Sequence, residues 1–163
     1  MSALAAVAAA AACAMGGSLA AGRLTQREAL LQGWDEALLR MESAVVHTGA
    51  DVPGVLRRGL GPGEPALKEL LSRLAASPAA TPEALLKGLP WHPLLLPEEK
   101  DILLNALAGL FSSSLEGQAQ ALAYARAQWA VCRQAGRADR EKNAGLYTAL
   151  GWLGGAAAFI LLC

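Results

Sequence analysis

Residues 29–46 read ALLQGWDEALLRMESAVV, and their periodicity decides the fold class. Leu31, Trp34, Leu38, Met41 and Val45 recur at spacings of 3, 4, 3 and 4, which puts them on one helix face close to a heptad seam. Glu28, Asp35 and Glu42 fall seven apart beside that seam. They read either as a solvated flank or as an acidic stripe facing a partner. Just upstream, Thr25-Gln26-Arg27-Glu28 has the form of a capping box, in which the Thr oxygen and the Glu carboxylate satisfy free backbone donors. It marks an expected helix start.

Downstream, the same period returns between breakers. Gly49 to Pro53 interrupts the first helix, Val52-Pro53-Gly54-Val55-Leu56 starts a short one, and Gly59-Leu60-Gly61-Pro62-Gly63 forfeits helix stability. Leu67, Leu70, Leu71 and Leu74 then share a side, and Thr81-Pro82-Glu83 is a further start signal. Pro90, Pro93 and Pro97 bound a rigid connector. Pro97-Glu98-Glu99-Lys100-Asp101 opens a helix whose buried side is Leu103, Leu107 and Leu110. Ser113-Ser114-Leu115-Glu116 is a second capping box. It leads into a proline-free stretch with Leu115, Leu122, Trp129 and Cys132 near one face, and with Gln118 and Ala125 filling intermediate turns. No β-branched alternating run occurs, so the chain is all-α, with a bundle of about six helices at its centre.

Charge divides the chain more sharply than any motif. All 14 Lys and Arg and all 14 Asp and Glu lie between Arg23 and Lys142. A helix rises about 1.5 Å per residue, so roughly 20 apolar residues cross a hydrocarbon core of about 30 Å. Residues 3–22 and 146–163 approach that length, and Tyr147 and Trp152 sit where amphipathic rings meet a membrane surface. The expected organisation is an N-terminal transmembrane helix (1–22), a cytoplasmic helical domain (23–142) and a C-terminal transmembrane helix (143–163). Arg23 and Arg27, with Arg133, Arg137, Arg140 and Lys142, flank the apolar ends on the inner side, which keeps the middle cytoplasmic and both termini outside. A cleaved signal peptide is the alternative for the first segment, but its cations follow the apolar run instead of preceding it. Alanine dominates that run and is only marginally favourable in lipid, so insertion would lean on neighbouring helices. Gly151 and Gly155, like Gly16 and Ala20, are four apart and offer small-residue faces for close packing in lipid.

Composition and motifs disfavour chemistry. Net charge is zero, which removes the electrostatic case for nucleic acid. Cys13, Cys132 and Cys163 form neither a disulfide framework nor a metal spacing. His47 and His92 have no Cys, Asp or Glu at ligand spacing. Glu98, Glu99 and Asp101 read as residues complementing a helix dipole. The Gly-Pro-Gly loop at 61–63 lacks the lysine of a phosphate-binding loop. No catalytic residue, metal ligand or cofactor is expected.

Glu141-Lys142-Asn143-Ala144-Gly145-Leu146-Tyr147-Thr148-Ala149-Leu150-Gly151-Trp152-Leu153-Gly154-Gly155 resembles the EKNxKLYxxLGxLxG signature that ends the stage III sporulation protein AB family. The N-terminal apolar helix followed by arginines agrees with that family. So does Leu39–Val45, close to its LxxLETEI stretch, leading to Asp51–Leu56, close to its PLPEAL stretch. Leu110–Gln118 is close to its LGxSDxExQ stretch, with Phe111 in place of the usual Gly and Ser114 in place of the usual Asp. The resemblance implies a helical domain similar to that of type II secretion platform protein F. It also implies a non-enzymatic platform role in the transenvelope assembly between mother cell and forespore. The place would be the mother-cell membrane around the forespore. Partners would be a cytosolic secretion-type ATPase, stage III sporulation protein AA, together with other membrane subunits and lipid; the chain is also a candidate homo-oligomer. Candidate contact residues are Glu28, Asp35 and Glu42 from the stripe, with Glu116, Gln118, Asn143, Leu146, Tyr147, Gly151 and Gly155 from the matching stretches. A platform module of a pilus or general secretion system, and a membrane-tethered enzyme, are the alternatives. The missing convergent titratable groups disfavour the enzyme.

Overall fold

The computed structural model describes residues 3–61, 65–76, 91–112 and 114–162. Among them run five helices and no strand: α1 (Ala3–Thr48), α2 (Val52–Gly59), α3 (Pro65–Ala76), α4 (Pro97–Ser112) and α5 (Leu115–Leu162). The helix expected to open at Thr81-Pro82-Glu83 lies outside the described residues.

Local chemistry sets most of these boundaries. Gly49 ends α1 in the left-handed region, with φ +53° and its N–H donating to the Val45 carbonyl at 3.2 Å, a conformation that favours glycine. Asp51 is extended ahead of α2, which carries proline in its first turn. Glu99 folds back so that its carboxylate accepts the Leu96 N–H at 2.8 Å, the acidic half of a capping box at the start of α4. Ser114 caps α5, its hydroxyl accepting from Gly117 N–H at 3.4 Å and its carbonyl from Gln118 N–H at 2.8 Å, one residue later than the Ser113–Glu116 capping box would have it.

The chain divides into two compact units, Ala29–Gln134 and the pair Met1–Glu28 with Ala135–Cys163. The central unit holds one apolar core. Leu31, Trp34, Leu38, Met41 and Val45 of α1 are all buried, as are Leu67, Leu70, Leu71 and Leu74 of α3 and Leu103, Leu107 and Leu110 of α4. From α5 the core takes Leu122, Ala125 and Trp129. Three indoles join the elements: Trp34 lies 6.5 Å from Trp91 and 6.3 Å from Trp129 between tilted ring centroids, a spacing favourable to aromatic pairs. The Trp129 indole N–H donates to the Leu31 carbonyl at 2.9 Å, so its polar edge is satisfied inside the core.

In the terminal unit the two apolar ends form an antiparallel helix pair. A Cβ on Gly17 would stand 2.5 Å from the Tyr147 carbonyl oxygen and 2.8 Å from Gly151 Cα. The backbones therefore meet at a point that only glycine allows.

Three expectations need correction. The transmembrane helices expected at 1–22 and 143–163 are not borne out, because among the described residues no helix is long and apolar enough to cross a membrane. Both segments are instead parts of longer helices that carry charge further along, and the N-terminal end is mostly alanine and glycine, whose small side chains gain little on transfer to hydrocarbon. Thr25-Gln26-Arg27-Glu28 does not start a helix: α1 runs through it, and the Thr25 hydroxyl donates back to the Ala21 carbonyl at 3.4 Å. Gly136 is buried inside an unbroken α5. Leu115 is exposed and Cys132 half-buried, so the buried face of α5 is carried by Gln118, Leu122, Ala125 and Trp129.

Candidate functional site

The three acids that stand seven apart on α1 meet three arginines that stand seven apart on α5. In the central unit Arg133 donates to Asp35 and Arg126 to Glu42, each at 2.5 Å. In the terminal unit Arg140 donates to Glu28, also at 2.5 Å, and Arg27 approaches Asp139 at 3.6 Å. Antiparallel helices with a seven-residue repeat bring such positions opposite one another, as flanking charges do along a coiled-coil seam. The stripe is thus neutralised within the chain and is not a free acidic surface. The arginine partners went unnoticed in the sequence, although their own spacing of seven was the available signal.

Arg137 extends this set within α5, donating to Glu141 at 2.8 Å. The hydrogen bond and charge of Glu141, with a smaller contribution from Glu28, raise the Arg137 pKa further above its ordinary value. It stays cationic at any accessible pH.

The remaining contact candidates separate by environment. Gln118 is buried, and its amide donates to the Leu110 carbonyl at 3.0 Å, joining the end of α4 to the start of α5. That is a structural task. Glu116 is exposed in the first turn of α5, where an acid complements the helix dipole. Asn143 is half-buried, and Leu146 and Tyr147 are exposed. Gly151 and Gly155 are buried; Gly151 faces Gly17 of the same chain, so its small size already serves an internal contact. Gly16, read with Ala20 as a small-residue packing face, is exposed, with nothing within 4 Å of an added Cβ.

The histidines occupy unlike places. His92 Nδ1 accepts the Leu94 N–H at 3.2 Å and its carbonyl accepts from Leu95, which shapes the connector before α4. The crevice it shares with Trp34, Leu67 and Trp91 has room for about 10 Å³, at the threshold for a single water. His47 is exposed beside an open groove between α1 and α2. Among the described residues no group of three His, Cys, Asp or Glu side chains is placed to hold a metal.

A long first helix, a long last helix and a short-helix bundle between them agree in order with the stretches quoted from the sequence. The model of the stage III sporulation protein AB family matches residues 2–163. The chain belongs to that family. No curated protein and no solved structure matches it. As a stage III sporulation protein AB family member it is a sporulation-related protein. Its Glu141–Gly155 signature lies on α5 in the terminal unit, and Leu39–Leu56 spans the end of α1 and the start of α2 in the central unit.

Proposed function

We propose that this chain is a non-enzymatic platform subunit of the transenvelope, secretion-like assembly between mother cell and forespore. Its helical bundle is the counterpart of the cytoplasmic domain of type II secretion platform protein F. It works at the mother-cell face of the membrane surrounding the forespore. There it binds the cytosolic ATPase, stage III sporulation protein AA, and other subunits of the assembly, and transmits nucleotide-driven motion mechanically.

The observation that carries this reading is the family match over residues 2–163. Binding is favoured over catalysis by where the carboxylates go. Glu28, Asp35 and Glu42 are held by arginines and Glu99 caps a helix, whereas catalytic acids and bases stand free in a cleft with environments that tune them. Rigid helix pairs held by such contacts suit a part that transmits force.

Complementation of a strain lacking the gene tests the reading. The wild-type chain should restore heat-resistant spores, and so should a His92→Asn/Cys132→Ser double variant. Loss of spores with a folded double variant would mean that the chain performs chemistry.

A further inference from the structure

An open groove of about 570 Å³ runs between α1 and α2 in the central unit. Leu39, Ser43, Ala44 and His47 line its α1 side, and Arg40 and Arg58 reach into it. Both guanidinium groups are steadied by neutral oxygens. Arg58 donates to the Thr48 hydroxyl at 2.6 Å, and Arg40 donates to the Gly59 carbonyl at 3.2 and 3.3 Å. Arg40 also has Glu36 at 3.5 Å. Arg58 and its neighbour Arg57 have no carboxylate partner among the described residues, unlike the arginines of the α1–α5 pairs. Leu39 is 49% exposed, so an apolar side chain lies open beside unspent positive charge.

The first turn of α4, in the same unit, has the opposite character. Leu96 is 47% exposed, and Glu98 and Asp101 are exposed and three apart on one face. Neither acid has a cationic partner among the described residues. Lys100, two positions beyond Glu98, falls on the other side of the helix and is half-buried.

We propose that these two surfaces are the halves of one contact, through which a second copy of this chain docks. Leu96 of one copy seats against Leu39 of the next, and Glu98 and Asp101 face Arg58 and Arg40. Charge complementarity within one sequence argues for a second copy as the occupant. An open trough also suits a macromolecular surface better than a small ligand, whose pocket buries 70–90% of it as a rule. Because groove and turn are different surfaces, the contact is heterologous: each copy offers one of each, and repetition gives a ring if the rotation closes. The contact depends on charge, so salt weakens it. It stands independently of the sporulation role proposed above.

Sedimentation velocity of the full-length chain over a range of concentrations and salt tests the contact. The wild type should self-associate reversibly and dissociate as salt rises. Arg58→Glu should weaken association by at least about tenfold, and so should Glu98→Lys/Asp101→Lys. Arg58→Gln, which can keep a bond to Thr48, should weaken it less. The chain carrying all three reversals should associate again, and an equimolar mixture of the two reversed forms should do the same. Circular dichroism confirms that each variant is folded, and the two reversals approach the contact from opposite sides. A wild type that stays monomeric, association indifferent to both reversals, or a folded triple variant that stays apart would each overturn the proposal.

Discussion

The indole N–H of Trp129 on α5 donates to the backbone carbonyl of Leu31 on α1 at 2.9 Å, with both residues fully buried. This bond joins the first and last helices of the central unit at a point water cannot reach. Trp129→Phe keeps most of the apolar contact but leaves the Leu31 carbonyl without that donor. An unsatisfied buried acceptor costs about 1–3 kcal/mol. Thermal unfolding followed by circular dichroism should show a midpoint several degrees lower, and Trp129→Ala should lower it further, by about 3–5 kcal/mol in stability.

Gly17 and Gly16 are neighbours with opposite tolerance. Alanine at Gly17 would press its Cβ onto the Tyr147 carbonyl and the Gly151 backbone, which cannot turn aside as a flexible side chain can. Overpacking of this kind costs about 1–3 kcal/mol. Alanine at Gly16 meets nothing and gains up to about 1 kcal/mol of helix preference. Hydrogen exchange of residues 11–22 and 144–157 should be faster in Gly17→Ala and unchanged or slower in Gly16→Ala. Equal behaviour of the two variants would contradict the backbone contact.

The pairs Asp35–Arg133 and Glu42–Arg126 are partly solvated, so each contributes modestly. Exposed or half-exposed ion pairs are worth about 0.2–1 kcal/mol and are screened by salt. A double-mutant cycle on Asp35→Asn and Arg133→Gln should give a coupling energy of that order, falling as salt rises. Asp35→Arg combined with Arg133→Asp should recover much of the stability that either reversal loses alone. No coupling in the cycle would mean the pair is not formed.

Glu99 is buried at the start of α4, where its carboxylate takes the Leu96 N–H. Glu99→Ala removes the acceptor and should destabilise the protein by about 1–2 kcal/mol. Glu99→Gln keeps an oxygen for the same bond and should lose less. The exposed neighbour Glu98→Ala should change the thermal midpoint little.

The pattern of which features the sequence revealed follows from how local their causes are. The buried faces of α1, α3 and α4 were legible because leucine at helical spacing states its own face, and Ser114 was legible because a cap acts within one turn. Thr25-Gln26-Arg27-Glu28 misled because the same four residues also fit the middle of a helix, where Glu28 has a better partner in Arg140, 112 positions away. Asp35 and Glu42 looked free for the same reason, their arginines lying 98 and 84 positions along the chain. Gln118 stood as a contact candidate on the packed side of the last helix, and its bond to the Leu110 carbonyl gives it an internal task. At the ends, uncharged residues suggested a membrane span, yet among the described residues no helix is apolar enough to cross one, and the Gly17–Gly151 approach makes the ends a close helix pair.

The role proposed for this family member is binding within a sporulation assembly. Cross-linking the tagged full-length chain in sporulating cells, followed by purification and mass spectrometry, measures this most directly. Stage III sporulation protein AA should be recovered as a cross-linked partner, and its recovery should not require His92 or Cys132. A chain recovered free of that ATPase and of every other subunit of the assembly, from cells that express them, would contradict the account.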